Sequence, residues 1–257
     1  MKYKMKSKRR SKPLVALFVV LTVLIVAITI VFNLPTIKDF LGLNDGQNSI
    51  DAAEAQQARE EAAQQGLLFL VNKQNPVDKN YKPEDLTAMA YYAPDRDAAG
   101  RYMREAAATA FSKLVEQAAK DGIELKMTTA YRSYGFQQVL YNNYVNKYGQ
   151  EAANRFSAKP GQSEHQTGLA VDVSSQSVNY QLTEEFGGTA EGKWLVAHAH
   201  EFGFIIRYPK DKEDITGYMY EPWHLRYVGL FPAKEIYEQD MTLEEYLQEY
   251  GLEGNIK

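Results

Sequence analysis

The chain has 257 residues, of which 45% are hydrophobic and none is cysteine. This length accommodates one domain of ordinary size with appendages, and the lack of cysteine excludes thiolate zinc sites, disulfide bonds and cysteine nucleophiles. The first 12 residues carry seven Lys and Arg and no acid, which leaves 22 basic against 33 acidic residues in the remainder. Because the chain after residue 12 is acidic, nucleic acid is not expected to be a partner.

The basic tail, residues 1–12, precedes an apolar segment, residues 13–34. Its core, Leu14–Phe32, has 19 residues interrupted only by two threonines, and at about 1.5 Å per residue it spans roughly the bilayer interior. A cleaved signal peptide would have a shorter apolar region of about 7–15 residues that ends at small residues. The segment therefore predicts a single-pass cell-membrane anchor with a cytoplasmic N terminus and an extracellular remainder.

Residues 35–66 are predicted to be an extracellular stalk or linker. The stretch Asp51–Gln65 is rich in Ala, Gln and Glu, and it lacks the continuous apolar stripe of a packed helix. At Leu67 the sequence becomes apolar, and Pro76 and Pro83 mark turns. A folded domain is therefore predicted over residues 67–257.

The domain mixes helical and strand patterns. Helices are predicted over YMREAAATAFSKLVEQAAKDG, YGFQQVLYNNYVNKYG and the closing TLEEYLQEYG. In the first of these, Met103 is taken as the first apolar position of the helical stripe. Strands are predicted over IELKMTTAY, GLAVDVS, FGFIIRYP and WHLRYVG. Because strands and helices do not alternate regularly, the pattern favours an α+β fold with a mainly antiparallel sheet packed with helices.

Two of the predicted strands carry residues suited to a metal ion. Alternation along LAVDV places Asp172 opposite the core-facing residues, His165 lies in the preceding loop, and His224 lies on WHLRYVG. Each is more often structural when taken alone, but together two imidazoles and a carboxylate match a catalytic zinc site, which typically has three protein ligands. His198 and His200 fall at a helix end where they point apart, and they are predicted to be surface or packing residues.

Glu221 lies three residues before His224, with Pro222 between them discouraging a helix. A carboxylate that stands beside a metal without ligating it can accept a proton from water and later deliver it to the leaving amine. The pattern therefore predicts hydrolysis with one Zn²⁺ per chain and Glu221 as the catalytic residue.

Two motifs connect these residues to a known family. SEHQTGLAVDV fits S-x-H-x-x-G-x-A-x-D, and EPWHLRY fits E-x-W-H-x-R-Y. With three supporting segments in the same order, LVNKQNPVDKNYKPEDL, TAYRSYGFQQ and GFIIRYP…ITGYMYEPWH, they resemble the zinc D-alanyl-D-alanine carboxypeptidases of the VanY type, which include L,D-carboxypeptidases of bacterial walls. The resemblance covers about residues 67–250, and it implies the same zinc ligands and the same catalytic base.

The resemblance also implies four substrate-binding residues. Arg132 and Gln137 match positions that hold substrate, and a guanidinium can pair with a terminal carboxylate through two parallel hydrogen bonds. Stabilising the oxyanion, or forming an ion pair at a strand end, are alternative roles for Arg132. Ser163 matches the serine of the motif, with a turn residue as the alternative, and Tyr208 matches a position that lines the pocket.

The implied reaction is removal of the terminal D-alanine from peptidoglycan stem peptides outside the membrane. Similarity to anchored wall-trimming members favours L,D cleavage of tetrapeptides over D,D cleavage of pentapeptides. A non-catalytic zinc-containing module that binds the wall and an endopeptidase of the same zinc class remain alternatives. Glu221 favours the enzyme because a binding module needs no general base, and an Arg132 that reads a carboxylate favours cleavage at the chain end.

Overall fold

In this computed structural model, residues 45–94 and 100–254 are described. The predicted cytoplasmic tail, the predicted anchor and the first part of the predicted linker lie outside the described residues. Within those ranges, no helix combines the length and apolar character needed to cross a membrane. The chain divides after Gln56 into two units, and the sheets, the cleft and every side-chain contact described below belong to the second.

The described residues form short strands and helices joined by turns. The strands are β1 (Leu86–Ala88), β2 (Tyr102–Arg104), β3 (Lys126–Thr129), β4 (Ala170–Ser174), β5 (Phe204–Tyr208) and β6 (Glu221–Tyr227). The helices are α1 (Asp45–Gln64), α2 (Glu105–Lys120), α3 (Tyr134–Tyr148), α4 (Gln150–Phe156), α5 (Ala190–His198), α6 (Glu213–Thr216), α7 (Leu230–Glu238) and α8 (Leu243–Glu249).

The main sheet has the order β3-β4-β6-β5, and every neighbouring pair in it is antiparallel. β1 and β2 form a separate antiparallel pair. The predicted α+β architecture with a mainly antiparallel sheet is therefore confirmed. Because β4 and β6 are adjacent, their register places Asp172 directly opposite His224.

Helix α2 packs its apolar stripe against the sheet. Phe111, Leu114 and Ala118 recur at helical spacing and are fully buried, and the ring of Phe111 meets Phe204 edge-on at 6.2 Å. The predicted helix began too early, because Met103 lies in β2 rather than in α2. Pairing with β1 determines the conformation there, since tertiary contacts override weak local helix propensity.

The segment predicted to be a solvated stalk is helical as far as Gln64, and its residues from Gln57 onward belong to the second unit. Arg59 donates two hydrogen bonds to Glu235, at 2.9 and 2.5 Å. Its guanidinium also lies 3.8 Å from the ring centroid of Tyr250. The last turns of the helix are thus held in part by charge and cation–π contacts, which a search for an apolar stripe does not detect.

Gly168 ends the 3-10 turn Glu164–Thr167, which carries His165 to the start of β4. Its φ of 71° lies in the left-handed region that favours glycine. A Cβ atom here would lie 3.1 Å from Cγ and 3.3 Å from the backbone nitrogen of Arg104. The glycine of the motif is therefore required both by the turn and by the close approach of β2.

Candidate active site

The beginning of α3, the 3-10 turn, β4, β5 and β6 surround an open cleft of about 520 Å³. All eight predicted site residues line it: Arg132, Gln137, Ser163, His165, Asp172, Tyr208, Glu221 and His224. A larger cavity of about 750 Å³ lies beside the end of α1, and its lining contains no histidine. The smaller cleft is therefore the one whose residues can carry out metal chemistry.

His165, Asp172 and His224 form a compact cluster at the floor of this cleft. Their nearest ligand atoms all lie within 4.8 Å of one another. His165 Nε2 is 3.3 Å from one oxygen of Asp172, and His224 Nδ1 is 3.0 Å from the other. The two imidazole rings are perpendicular, with centroids 4.9 Å apart, so both present a nitrogen edge to the same carboxylate.

A neighbouring oxygen faces the outer nitrogen of each imidazole. Nδ1 of His165 is 2.6 Å from the carbonyl oxygen of Ala130, to which it donates when protonated. Nε2 of His224 is 3.4 Å from a carboxylate oxygen of Glu164. Second contacts of this kind fix the ring orientation and tautomer of metal-binding histidines, so the inner nitrogens, Nε2 of His165 and Nδ1 of His224, are the candidate ligand atoms.

The donor set fits zinc. Nε2 of His165 and Oδ1 of Asp172 are buried and have no hydrogen-bond partner, although buried polar atoms are normally paired. A cation bound between them would satisfy both atoms, and two imidazoles with one carboxylate leave a coordination position open for catalysis. Within residues 45–94 and 100–254, this is the one group of three or more such side chains placed to hold a metal ion.

The electrostatics of the cluster favour bound positive charge. Burial and the nearby Arg132 lower the pKa of His165 to about 4, so its imidazole is neutral and free to ligate. Burial opposes charge on His224 as well, but the adjacent carboxylates of Asp172 and Glu164 raise its pKa to about 9. The carboxylates around His224 thus stabilise positive charge at this position, and a bound metal ion would supply that charge.

Glu221 opens β6 and stands beside the cluster. One of its carboxylate oxygens lies 3.7 Å from His224 Nδ1, and the residue is paired in register with Tyr208 on β5. Burial raises the pKa of Glu221 to about 7. A carboxylate that is next to the ligands without being one of them has the position of a general base.

Arg132 and Gln137 form the wall of the cleft beside the cluster. Arg132 donates to the side-chain oxygen of Gln137 at 3.0 Å, and Gln137 donates to the carbonyl oxygen of Ala158 at 2.7 Å. The guanidinium also lies 3.6 Å from Asp172, and its buried Nε has no partner. Arg132 is therefore ion-paired and still keeps donor capacity beside the cleft.

The remaining predicted residues, Ser163 and Tyr208, are buried in the lining of the cleft. Ser163 precedes the 3-10 turn, and its backbone carbonyl accepts a hydrogen bond from Gln166 at 3.2 Å, so it is both a turn residue and part of the cleft lining. The ring of Tyr208 lies 4.9 Å from that of His224. Trp223 lines the cleft and also packs against the core.

The other two histidines lie away from the cluster. Nδ1 of His198 is 3.1 Å from a carboxylate oxygen of Glu201 at the surface. The ring of His200 stacks on Tyr237, with centroids 3.7 Å apart. These contacts agree with the prediction that both are surface or packing residues.

Sequence reasoning did not single out three charged residues around His224. Glu164, Arg207 and Arg226 are all buried, and the carboxylate of Glu164 pairs with both guanidiniums. The two arginines could have been noticed because they are charges within the otherwise apolar stretches FIIRY and WHLRY. The glutamate could have been noticed because it adjoins the histidine of the motif.

An antiparallel sheet that presents a His, Asp and His cluster beside a carboxylate and an arginine defines a metal-dependent peptidase. The VanY family, described as D-alanyl-D-alanine carboxypeptidase, matches residues 100–230. YodJ of Bacillus subtilis (strain 168) is 49% identical over 185 residues, which cover 72% of this chain and 68% of that protein. The chain therefore belongs to the VanY family, and it is a carboxypeptidase of the hydrolase class.

Two solved structures are similar in fold as well as in sequence. The LD-carboxypeptidase LdcB shares 49% identity with a TM-score of 0.66, over 70% of this chain and 84% of that chain. The vancomycin-resistance D,D-pentapeptidase VanY in complex with Zn(II) shares 34% identity with a TM-score of 0.60, over 71% of this chain and 99% of that chain. Together with the His/Asp/His cluster, the zinc in that relative identifies zinc as the cofactor, as the sequence predicts.

Proposed function

We propose that this chain removes the terminal D-alanine from peptidoglycan stem peptides by zinc-dependent hydrolysis. The observation that carries the proposal is that the metal cluster, Glu221 and Arg132 lie in one open cleft. A metal site alone would suit a binding module, but an adjacent carboxylate and an adjacent guanidinium provide the two further groups that a carboxypeptidase needs.

His165, Asp172 and His224 are proposed to hold the zinc ion. When bound, zinc lowers the pKa of a water molecule and polarises a carbonyl oxygen. Glu221 accepts the proton of the water that attacks the peptide carbonyl carbon, and it delivers this proton to the amine of D-alanine as the C–N bond breaks. Glu221 therefore ends the reaction in the protonation state in which it began.

Arg132 is proposed to bind the free carboxylate of the terminal D-alanine, with Gln137 fixing the guanidinium through their 3.0 Å hydrogen bond. Ser163 and Tyr208 line the same cleft, and they are proposed to contact the substrate. Recognition of a terminal carboxylate favours cleavage at the chain end over cleavage within a cross-link.

We expect Arg132→Met to lower kcat/KM on a free-acid stem peptide by about 10–100-fold, because a hydrogen bond to a charged group contributes about 1.5–3 kcal/mol. The same substitution should matter little for a substrate whose terminal carboxylate is an amide. Steady-state kinetics of both enzymes on both substrates measure this difference. Equal losses on the acid and on the amide would instead assign Arg132 to the oxyanion.

L,D cleavage of tetrapeptide stems is the proposed specificity. Identity to the LD-carboxypeptidase LdcB is 49%, against 34% to the D,D-pentapeptidase VanY. L,D cleavage places the long side chain of the third stem residue next to the scissile bond. The cleft is open and is flanked by Phe136, Tyr144 and Phe156, which leaves room for such a side chain.

Mass spectrometry of muropeptides after incubation with the full chain tests this proposal. We expect zinc-dependent loss of one alanine from tetrapeptide stems, and slower loss from pentapeptide stems. Faster shortening of pentapeptides would assign D,D specificity, and cutting only of cross-linked dimers would assign an endopeptidase. No change in any of these substrates with one zinc bound would favour a binding module.

The proposed location is the cell membrane, with the catalytic domain outside and the N terminus in the cytoplasm. The basic cluster followed by 19 nearly uninterrupted apolar residues supports this arrangement. Deleting residues 1–34 should leave the rate on soluble muropeptides unchanged but slow the trimming of intact walls in cells, because tethering raises the local enzyme concentration. Equal trimming of intact walls by both forms would contradict the anchor.

A further inference from the structure

Glu164 is a buried carboxylate that contacts the back of the metal cluster. Its side chain has no solvent exposure. One oxygen accepts hydrogen bonds from Arg207 Nε at 2.7 Å and from Arg226 at 2.6 Å. The other oxygen lies 3.4 Å from Nε2 of His224, and these two buried atoms have no other hydrogen-bond partner.

Both arginines are themselves fixed on their far sides. Arg207 donates to the two oxygens of Glu244 at 2.8 and 2.7 Å. Arg226 donates to the backbone carbonyls of Leu67 and Phe69 at 2.9 and 2.7 Å. The guanidinium groups therefore hold Glu164 in a single orientation, with its second oxygen aimed at His224.

This orientation determines which nitrogen of His224 can carry a proton. An ionised carboxylate only accepts hydrogen bonds, so the nitrogen that faces it is favoured as the protonated one. Nδ1 faces Asp172 at 3.0 Å, so with a metal ion held between them Nε2, which faces Glu164, is the nitrogen left to carry the proton. A carboxylate behind a metal-binding histidine also raises the basicity of the ligating nitrogen.

We propose that Glu164 is a positioning residue that holds the proton of His224 on Nε2 and so keeps Nδ1 available for the metal ion. This inference rests on the proposed function, because His224 is a metal ligand only if the chain uses zinc as proposed above. It extends the site inward to a buried residue behind the metal ligand His224.

A purely structural role is the competing explanation, since Glu164 also neutralises two buried arginines. Glu164→Gln separates the two roles. A glutamine amide has one oxygen and one NH2 group, so its NH2 must face either the two guanidiniums or the N–H of His224. If the oxygen serves the arginines, the NH2 opposes Nε2–H and favours the tautomer that cannot ligate through Nδ1.

Glu244→Gln is the matched control variant. It makes the same chemical change at the other carboxylate of Arg207, and no contact joins Glu244 to His224 among the described residues. Both variants lose ion pairing to Arg207, and Glu164→Gln differs in also touching Arg226 and the metal ligand His224.

Two quantities are compared for the two variants. One is the zinc affinity, measured by competition with a chromogenic chelator, and the other is the melting temperature of the zinc-free form. We expect Glu164→Gln to raise the zinc dissociation constant by about 10–100-fold, the range for groups that support a metal ligand. Glu244→Gln should keep it within about twofold at a similar loss of melting temperature. Equal changes in both variants, or none in Glu164→Gln, would overturn the proposal.

The position of the His224 proton can be measured on the unsubstituted protein even if Glu164→Gln does not fold. The chain has only four histidines, so their imidazole nitrogen signals in the zinc-loaded protein can be assigned by NMR. We expect a proton on Nε2 of His224 that exchanges slowly with water. A proton on Nδ1 would overturn the proposal. Because neither measurement uses turnover, failure of the muropeptide assay would count against the proposed function alone.

Discussion

Replacing Glu221 with glutamine is expected to lower kcat by about 10²–10⁴-fold, the range for loss of general acid–base catalysis. Glutamine is nearly isosteric and retains an oxygen, but it cannot accept the proton of the attacking water. The carboxylate is 3.7 Å from His224 Nδ1 and is not one of the three clustered donors. We therefore expect the variant to bind one zinc ion with little change in affinity.

The measurement is kcat on tetrapeptide muropeptides with zinc content determined in the same sample. Glu184 is an exposed acid on the lining of the same cleft, so Glu184→Gln controls for the loss of one negative charge and should keep kcat within about twofold. A Glu221→Gln enzyme that retained more than about a tenth of kcat with full zinc content would place the general base elsewhere.

The second large effect is expected at His165. His165→Gln should abolish zinc binding at micromolar metal, and activity should be lost with it. Burial keeps the pKa of His165 at about 4, so a neutral glutamine replaces a neutral imidazole at pH 7. Loss of zinc would then reflect the missing ligand atom and not a change in charge, because three protein ligands leave none in excess.

The matched variant is His198→Gln, which changes a surface histidine that contacts Glu201 outside the cleft. Zinc binding by both variants is measured as zinc content after dialysis and as the shift in melting temperature that added zinc produces. Zinc should raise the melting temperature of the unsubstituted protein and of His198→Gln, because a ligand that binds only the folded state stabilises it. An undiminished zinc-induced shift in His165→Gln would exclude this histidine as a ligand.

Local patterns in the sequence were sufficient to predict most of the elements around the site. Alternation along GLAVDVS predicted β4 with Asp172 opposite the core-facing residues, and the glycine at the end of YGFQQVLYNNYVNKYG marked the end of α3. Where a non-local partner decides the conformation, the prediction failed. Met103 was predicted to lie in the following helix, but it lies in β2, where it pairs with Thr87 of β1.

The eight candidate site residues were also predicted, because two short motifs contain most of the chemically distinctive side chains. The sequence could not show the register that sets Asp172 opposite His224, two residues separated by 52 positions. It also did not show the role of Glu164, since a glutamate beside a histidine is a common surface pattern. Its burial between two arginines becomes apparent only when three distant segments pack together.

The sequence by itself therefore determined the kind of chemistry: two histidines, an aspartate, a nearby acid and no cysteine. The membrane anchor also stays a prediction from the sequence alone, because it is read from the length and polarity of one segment. Only the tertiary structure decided which nitrogen of each histidine faces the cluster and which carboxylate lies behind it. Those features depend on strand register and on the exclusion of water around buried charges, and both arise from contacts between residues far apart in the chain.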